Sequence, residues 1–333
     1  MRSQTCIFGL VLCSSVLAGC ARSPADESPV SLDQTVEAAE ARPAREAIQT
    51  APRDPSRTWV VLLGTGTPGS EPDRFGPATA VVAGGNAYLI DAGPGVVRRA
   101  TAGALVSGLV ALQPQNLRVV FFTHLHSDHT IGYPDLILSP WVLGRLVPLQ
   151  AYGPPGLDAM TSALLEAYRE DIRVRVEGPE QLQRDLVVVE THEIEPGLIY
   201  EDAVIRVEAF AVPHGTWEHA FGFKLTTADR TIVISGDTGP FDGLVEIATG
   251  ADLLIHEAYG AGLDLRQPET QLYHGTFHTS AIKVGEIAAA AGVGMVVLHH
   301  QLHLAGDTPE EMVEQVRLNF DGEVAYGRDL EVY

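Results

Sequence analysis

The sequence predicts an α/β fold in which two β-sheets carry helices on their outer faces. Short apolar runs typical of buried strands recur along the chain, and helical patterns separate some of them. Strands dominate the beginning of the folded part, and strands mixed with helices follow, which is typical of layered α/β proteins. The 33 glycines and 21 prolines also indicate many junctions between strands and loops. The runs with strand character are 59–63, 119–122, 149–152, 186–190, 204–210, 221–225, 231–235, 252–257 and 295–300.

Three helical patterns have recognisable ends. An amphipathic stretch covers 157–168 after a Pro-Gly pair. A second begins after Ser280 and stops at Gly292, and a third begins at Thr308-Pro309, where proline suits the first turn of a helix.

The first 19 residues predict a secretory signal peptide. Arg2 precedes an apolar run that is too short to span a bilayer, and small residues follow it. Residues 17–20 read LAGC and resemble the lipobox of bacterial lipoproteins, in which the cysteine is acylated. We therefore expect 1–19 to be removed, Cys20 to be lipidated and, because Ala21 is not aspartate, the protein to face the periplasm from the outer membrane. An ordinary secretory signal, cleaved elsewhere, is the alternative.

The stretch between the signal and the first strand predicts a flexible tether. Residues 20–57 are rich in alanine, proline, serine and charged side chains and show no strand pattern. Residues 58–333 are then the predicted catalytic domain.

A glycine motif after the first strand imitates a dinucleotide site. Residues 64–69 read GTGTPG, and Asp91 lies near the position of a ribose-binding acid. That motif requires a helix to begin at the glycines, but Pro72, Gly76 and Pro77 follow. We therefore expect no dinucleotide there.

A dense group of metal-ligand side chains follows the strand at 119–122. His124 and His126 point the same way in an extended segment, because side chains alternate with period two. Asp128 and His129 come directly after them at a turn. Three imidazoles and a carboxylate at this spacing predict half of a metal site.

The remaining ligands are expected at the ends of other strands. His214 follows one apolar run, and Asp237 follows another after a glycine. A carboxylate has two oxygens, so Asp237 could bridge two ions about 3.5–4 Å apart. The segment VVLHHQLH offers His299, His300 or His303, and the spacing alone does not decide between the first two.

These motifs together resemble the metallo-β-lactamase superfamily, in particular its ribonuclease Z, arylsulfatase and phosphodiesterase branch. FTHLHSDHTIG, AVPHG, SGDTG and VVLHH occur in the order of that superfamily, and the likeness covers about 59–333. It implies an αβ/βα sandwich of two mixed sheets packed face to face with helices outside, and two zinc ions per chain. The resemblance implies one zinc on His124, His126 and His214, and another on Asp128, His129 and His300, with Asp237 bridging.

Two further segments resemble that branch and imply catalytic residues. HEAYG at 256–260 implies that Glu257 holds and polarises a histidine, and FHTSAIKVGEIA at 277–288 implies that this histidine is His278. His278 would protonate the leaving group, and Asp128 would orient the nucleophile. A purely structural histidine at the start of a helix is the alternative.

The charge balance indicates which substrates are expected. The formal net charge is −21, which does not favour binding of polyanions. Residues 70–77 read SEPDRFGP, where a ribonuclease Z would show a Pro-Lys-Arg-Asn-type segment, and no basic, glycine-rich arm is apparent. We therefore expect a small anionic ester substrate, either a phosphodiester or an arylsulfate, with nucleic acid an unlikely partner and membrane contact only through Cys20. The alternatives are a ribonuclease Z-like 3′-tRNA-processing endonuclease and a non-catalytic zinc-binding lipoprotein, and a homodimer stays open.

Overall fold

The computed structural model describes residues 53–262, 274–304 and 306–333. The predicted signal peptide, the predicted lipidation at Cys20 and nearly all of the predicted tether lie outside these residues. None of the helices in the described part combines the length and the apolarity that a bilayer-spanning segment needs.

The first sheet has six strands that are neighbours in chain order. The pairs β1–β2 and β2–β3 are antiparallel, and the pairs from β3 to β6 are parallel. The strands are β1 (Trp59–Gly64), β2 (Ala78–Ala83), β3 (Asn86–Ile90), β4 (Leu117–Phe121), β5 (Leu149–Gly153) and β6 (Val189–Glu193).

The second sheet has seven strands, also ordered as in the chain. Its first half is antiparallel, and the pairs from β10 to β13 are parallel. The strands are β7 (Gly197–Glu201), β8 (Ile205–Ala211), β9 (Phe221–Thr227), β10 (Thr231–Ile234), β11 (Leu253–Tyr259), β12 (Met295–Leu302) and β13 (Glu323–Tyr326).

Helices cover the outer faces of both sheets. Among the described residues they are α1 (Val96–Ser107), α2 (Ser127–Thr130), α3 (Tyr133–Val142), α4 (Leu157–Ala167), α5 (Arg169–Glu177), α6 (Gly243–Ile247), α7 (Ala281–Ala291) and α8 (Pro309–Arg317).

Three apolar clusters hold these layers together. One lies between the two sheets, and each of the others packs the outer face of one sheet against its helices. Phe121 and Phe223, one from each sheet, meet in the central cluster with ring centroids 5.8 Å apart. The predicted fold, two mixed sheets face to face with helices outside, is confirmed.

The ends of the last two helices follow from their sequences. The Ser280 side chain accepts a hydrogen bond from the Lys283 backbone N–H at the start of α7, and Gly292 ends that helix with φ of 62°. At α8, Thr308 and Glu311 form a reciprocal capping box.

The glycines of GTGTPG serve backbone packing. A Cβ atom on Gly64 would lie 2.1 Å from the Gly76 carbonyl oxygen, so only glycine lets these two segments pass. No helix begins at the motif, which agrees with the rejection of a dinucleotide site.

The Asp202 carboxylate ties the two sheets together. One of its oxygens accepts hydrogen bonds from the hydroxyls of Tyr88 on β3 and Tyr200 on β7, at 2.6 and 2.9 Å. The other oxygen accepts from the backbone N–H groups of Val204 and Ile205 at the start of β8. One exposed side chain thus joins both sheets and the turn between β7 and β8.

Replacing Asp202 by alanine is expected to lower the free energy of unfolding by about 1–2 kcal/mol, a figure that allows for the exposure of the group. Burial alone would raise the pKa of Asp202, but the hydrogen bonds from Tyr88 and the backbone outweigh it and lower that pKa. The contribution is therefore present above the pKa of an unfolded aspartate and is lost as pH falls through the lowered pKa. Urea unfolding at neutral and acidic pH measures it, with exposed Glu201→Ala as the control. Equal loss in both variants would contradict this role.

Candidate metal centre

The seven predicted ligand side chains lie together at one edge of the sandwich. Four of them follow β4 in the first sheet, and the others follow β8 and β10 or lie on β12 in the second. Six are buried, and one is half-buried. They form overlapping groups whose potential ligand atoms lie within 4.8 Å of one another. The residues are His124, His126, Asp128, His129, His214, Asp237 and His300.

The first group consists of three histidines. Nε2 of His124 lies 2.8 Å from Nδ1 of His126, and Nε2 of His214 lies 3.2 Å from the same atom. Tetrahedral zinc with Zn–N bonds of about 2.0–2.1 Å would separate such nitrogens by roughly 3.3–3.4 Å. Both measured separations are within a few tenths of an ångström of this value, and the three nitrogens all lie within 4.8 Å of one another.

The second group lies beside the first and shares a carboxylate with it. Nε2 of His300 is 3.2 Å from Oδ2 of Asp128, and Nε2 of His129 is 3.6 Å from the same oxygen. Oδ2 of Asp237 is 3.4 Å from both of these nitrogens and 4.0 Å from Nε2 of His124. Asp237 therefore occupies the position between the groups that a bridging carboxylate requires.

A bulge in β12 separates the roles of two neighbouring histidines. In the pairing of β11 with β12, Glu257 lies opposite His299 and Ala258 lies opposite Gln301, so His300 is the extra residue, with φ of 46°. The bulge turns His300 towards the ligand groups. His299 points away, its Nε2 lies 3.0 Å from the Gly64 carbonyl oxygen, and burial lowers its pKa to about 3. The spacing left open whether His299 or His300 is the candidate ligand, and the geometry favours His300.

Asp91 fixes the ligand-bearing loop to the end of β3. Its Oδ1 accepts a hydrogen bond from the Thr123 backbone N–H, and its Oδ2 lies 2.8 Å from Nδ1 of His129. The second contact places a proton on Nδ1 and leaves Nε2 of His129 facing the other ligands. In the sequence alone, Asp91 matches only the ribose-binding acid of the rejected dinucleotide motif. Its position at the end of a strand beside the histidine-rich loop was the signal for this role.

Hydrogen bonds to groups outside the ligand set also orient two other histidines. Nδ1 of His214 donates to the Phe277 carbonyl oxygen at 2.8 Å, which leaves its Nε2 directed inward. On the half-buried side, the Trp217 indole N–H donates to Nε2 of His126 at 2.7 Å. The sequence carries no signal for this role of Trp217, because an isolated tryptophan in a loop is not part of any ligand pattern.

Electrostatics at the edge favour a bound cation. Burial lowers the pKa of His124 well below its usual value and that of His214 to about 4, so both imidazoles are neutral, the form that binds metals. Burial would also lower the pKa of His129, but the carboxylates of Asp237 and Asp91 outweigh it and raise that pKa. Neutral nitrogen donors thus lie in a field that attracts positive charge.

His278 pairs with Glu257 and also lies close to two of the candidate ligands, because a potential ligand atom of His278 is within 4.8 Å of those of Asp237 and His300. Nδ1 of His278 lies 3.3 Å from Oε2 of Glu257, whose Oε1 accepts a hydrogen bond from the Thr279 backbone N–H. The His278 ring is 5.8 Å from that of His300. The structure thus brings the predicted acid and its carboxylate partner to the same edge as the predicted ligands.

The donor set fits divalent metal ions of the zinc type. Histidine nitrogens and carboxylate oxygens are the donors that zinc prefers. Nε2 of His129 is buried without a hydrogen-bond partner and faces Asp128 and Asp237. A metal ion at this position would satisfy that nitrogen and neutralise both carboxylates.

His300→Ala is expected to lower the bound metal per chain after dialysis against a weak chelator, because it removes a donor from the second group. His299→Ala is the matched control, because its imidazole faces Gly64 and not the ligands. Elemental analysis measures the metal, and circular dichroism verifies that both variants fold. Equal metal content in the two variants would contradict the assignment.

Comparison with known proteins identifies the family. A model of the beta-lactamase superfamily domain matches residues 86–301. A ribonuclease Z of Mycobacterium sp. (strain KMS) is 37% identical over 247 residues, which cover 73% of this chain and 84% of the relative. A ribonuclease Z of Mycobacterium bovis (strain BCG / Pasteur 1173P2) is 32% identical over 276 residues, which cover 81% and 96%.

Solved structures show the same fold. A metallo-beta-lactamase fold protein from Bacillus subtilis aligns with a TM-score of 0.63 and 19% identity, over 83% of this chain and 99% of that one. The short form of human tRNase Z aligns with a TM-score of 0.61 and 24% identity, over 83% and 98%.

These relatives correct the expected substrate. The preference for a small phosphodiester or arylsulfate, with nucleic acid an unlikely partner, is wrong, because the relatives that cover most of the chain are named as ribonucleases. The net charge of −21 is a sum over the whole chain. Charges in solution act over only about 8–10 Å at physiological salt, so such a sum does not describe any one groove.

The family-model match, the identities above 30% over most of both chains and the shared fold lead to one conclusion: the chain belongs to the metallo-β-lactamase superfamily of metal-dependent hydrolases, with ribonuclease Z among its relatives.

Proposed function

We propose that the chain is a binuclear zinc-dependent endoribonuclease that removes 3′ extensions from tRNA precursors. The observation that carries the proposal is the convergence of seven buried or half-buried ligand side chains beside the His278–Glu257 pair. Two ion sites and one acid are what phosphodiester hydrolysis needs. The similarity to ribonuclease Z over most of the chain supports RNA as the phosphodiester.

The two ligand groups define how two ions would be held. His124, His126 and His214 would hold one, Asp128, His129 and His300 the other, and Asp237 would contact both. Zinc at such sites supplies Lewis acidity toward phosphoryl oxygens and lowers the pKa of water to near 7.

The chain's own residues divide the remaining tasks. Asp128 lines a cavity of about 390 Å³ and can accept a hydrogen bond that orients an attacking water. Arg74 lines the same cavity, where Oε1 of Gln301 and the carboxylate of Glu71 hold its guanidinium at 2.7 and 3.0 Å. The N–H groups of Arg74 are engaged by Glu71, Thr65 and Gln301, so this guanidinium orders the cavity wall beside Asp128.

His278 is placed to protonate the leaving ribose oxygen. Burial would lower the pKa of His278, but the Glu257 carboxylate outweighs it and raises that pKa. Glu257 therefore favours the protonated imidazole, which is the form that a general acid needs. Glu257 is itself held by the Thr279 backbone N–H, so the pair has a fixed orientation.

His278→Ala is expected to lower kcat for cleavage of a precursor tRNA by about 10²–10⁴-fold while bound zinc stays unchanged, because the variant loses only the acid. Single-turnover cleavage of a transcript with a 3′ trailer measures the rate, and elemental analysis measures the zinc. His192→Ala, an exposed histidine stacked on Tyr152, is the matched control.

Two outcomes would contradict the proposal. Absence of RNA cleavage by the zinc-loaded wild-type chain would favour a non-catalytic zinc-binding protein. Full activity in His278→Ala would place the acid elsewhere.

Glu257→Gln is expected to move the alkaline limb of the kcat–pH profile to lower pH. The reaction requires protonated His278, so the rate falls as pH rises through the pKa of this residue. Loss of the Glu257 charge lowers that pKa, and the fall then begins earlier. A pH profile of single-turnover cleavage tests this, and an unchanged limb would exclude His278 as the titrating acid.

A further inference from the structure

We propose that a second site, at the end of the first sheet opposite the metal centre, binds the phosphate backbone of a single RNA strand. The site is a cavity of about 370 Å³ whose cationic side chains are Arg53, Arg57 and Arg118, here called the arginine cavity. The inference rests on the proposed function, because the arginine cavity would hold part of the RNA substrate away from the metal centre.

The arginine cavity and the metal centre lie at opposite ends of the same strands. Asn86, at the start of β3, and Arg118, near the start of β4, line the cavity, whereas His124 follows the end of β4. Six residues of extended chain from Arg118 to His124 correspond to about 20 Å. The cavity is therefore outside the site already described.

Trp59 holds two of the guanidiniums without neutralising them. The Arg53 guanidinium carbon lies 4.5 Å from the centre of the Trp59 ring, and that of Arg57 lies 5.4 Å from it. The indole is fixed in turn, because its N–H donates to the Asp54 carbonyl oxygen. A cation–π contact positions a guanidinium but leaves its N–H groups free to donate to phosphate oxygens.

The cavity is cationic within a strongly acidic protein. Among the residues that the structure describes, no ion pair involves Arg53, Arg57 or Arg118. By contrast, each of the three arginines of α5 forms an ion pair with a nearby carboxylate. The Asp54 carboxylate lies near Arg57 and keeps its negative charge while it accepts hydrogen bonds from Ser56. Asp229 accepts hydrogen bonds from Thr58, next to Arg57 in the chain. Glu190 and Asp202 line an adjoining cavity that Arg118 also lines. Among the described residues that line the arginine cavity itself, however, the three arginines are the charged side chains and no carboxylate is present.

The remaining lining suits the other parts of a nucleotide. Leu109 and Ala111 are buried and present an apolar wall, and Val110 beside them is 62% exposed. Asn116 donates from Nδ2 to the Val110 carbonyl oxygen, so its Oδ1 stays open as an acceptor. Guanidiniums for phosphate, an apolar wall for a base and an amide for its edge are the groups that a single strand requires.

A second cavity makes the site long enough for more than one nucleotide. It measures about 380 Å³ and shares Asn86, Asn116 and Arg118 with the arginine cavity. Tyr88 and Tyr200 lie along it, with rings 6.0 Å apart. Tyr88 is only 1% exposed, so Tyr200, which is half-buried, is the ring that can contact a base. A site that extends over two adjoining cavities fits a strand of several nucleotides and exceeds what an isolated phosphate needs.

The experiment measures RNA binding as a function of salt. Zinc-loaded chain carrying His278→Ala, which prevents cleavage, is titrated against a fluorescent single-stranded RNA of about 12 nucleotides. The variant Arg53→Glu/Arg57→Glu/Arg118→Glu is compared with Arg169→Glu/Arg173→Glu/Arg175→Glu on α5, which changes the charge equally. An Arg→Gln version of the first triple variant separates lost contacts from new repulsion.

The cavity variant is expected to weaken RNA binding at least tenfold and to reduce the slope of log K against log salt by about 2, since each lost phosphate contact on a single strand removes roughly 0.7. The α5 control should leave that slope unchanged. Both variants without His278→Ala should keep the wild-type zinc content in elemental analysis, because the metal centre is intact. Altered RNA binding with no precursor-tRNA cleavage would refute the proposed function but leave the cavity assignment in place.

Three results would overturn the assignment. The first is an equal salt slope in the cavity and control variants. The second is binding of AMP as tight as that of the RNA, which would make the cavity a mononucleotide site. The third is binding to phosphatidylglycerol vesicles that depends on the three arginines while RNA binding does not, which would make it a membrane-docking site.

Discussion

The geometry of the candidate centre depends on the buried carboxylate of Asp91. This side chain accepts hydrogen bonds from the backbone and hydroxyl of Thr123 and contacts Nδ1 of His129. Thr123 in turn contacts Nδ1 of His124 through its hydroxyl, at 3.0 Å. One carboxylate at the end of β3 thus fixes the start of the ligand-bearing loop and orients two of its imidazoles. A buried charge of this kind is tolerated because each of its oxygens has a partner.

The second sheet supplies the remaining ligands from separate elements and not from one loop. The loop after β4 supplies donors in a compact run, but His214, Asp237 and His300 come from separate elements that must meet it. The apolar cluster between the sheets and the Asp202 contacts to both of them hold those elements in register. The contacts that stabilise the fold therefore also set the geometry of the centre, because a shift of one sheet against the other would separate the two halves of the ligand set.

Local periodicity and cap signals were enough to predict the layered fold, α4, α7 and α8, because those signals lie within a few residues of each other. They misplaced β6, predicted at 186–190 but found at Val189–Glu193, because Leu186 belongs to a helical turn at Arg184–Leu186 and Val187 caps that turn. His300 could not be chosen over His299 from spacing, since the choice depends on a bulge set by pairing with β11. Asp91 and Trp217 act through contacts that are distant in sequence.

The overall composition predicts the wrong substrate class because it carries no information on where the charges lie. A formal charge of −21 argued against a polyanion, yet the structure gathers three arginines without ion pairs at one end of the first sheet. Acidic residues elsewhere, such as those that pair with the arginines of α5, add to the sum but do not face that cavity. Where charges lie matters more for binding than their total.

The central claim is that two ions occupy adjacent positions in this one ligand set, and anomalous diffraction at the zinc edge from crystals of the zinc-loaded chain tests it most directly. The account predicts two peaks about 3.5–4 Å apart. One should be bounded by His124, His126 and His214, the other by Asp128, His129 and His300, with Asp237 between them. A single peak, or peaks bound by other residues, would contradict it.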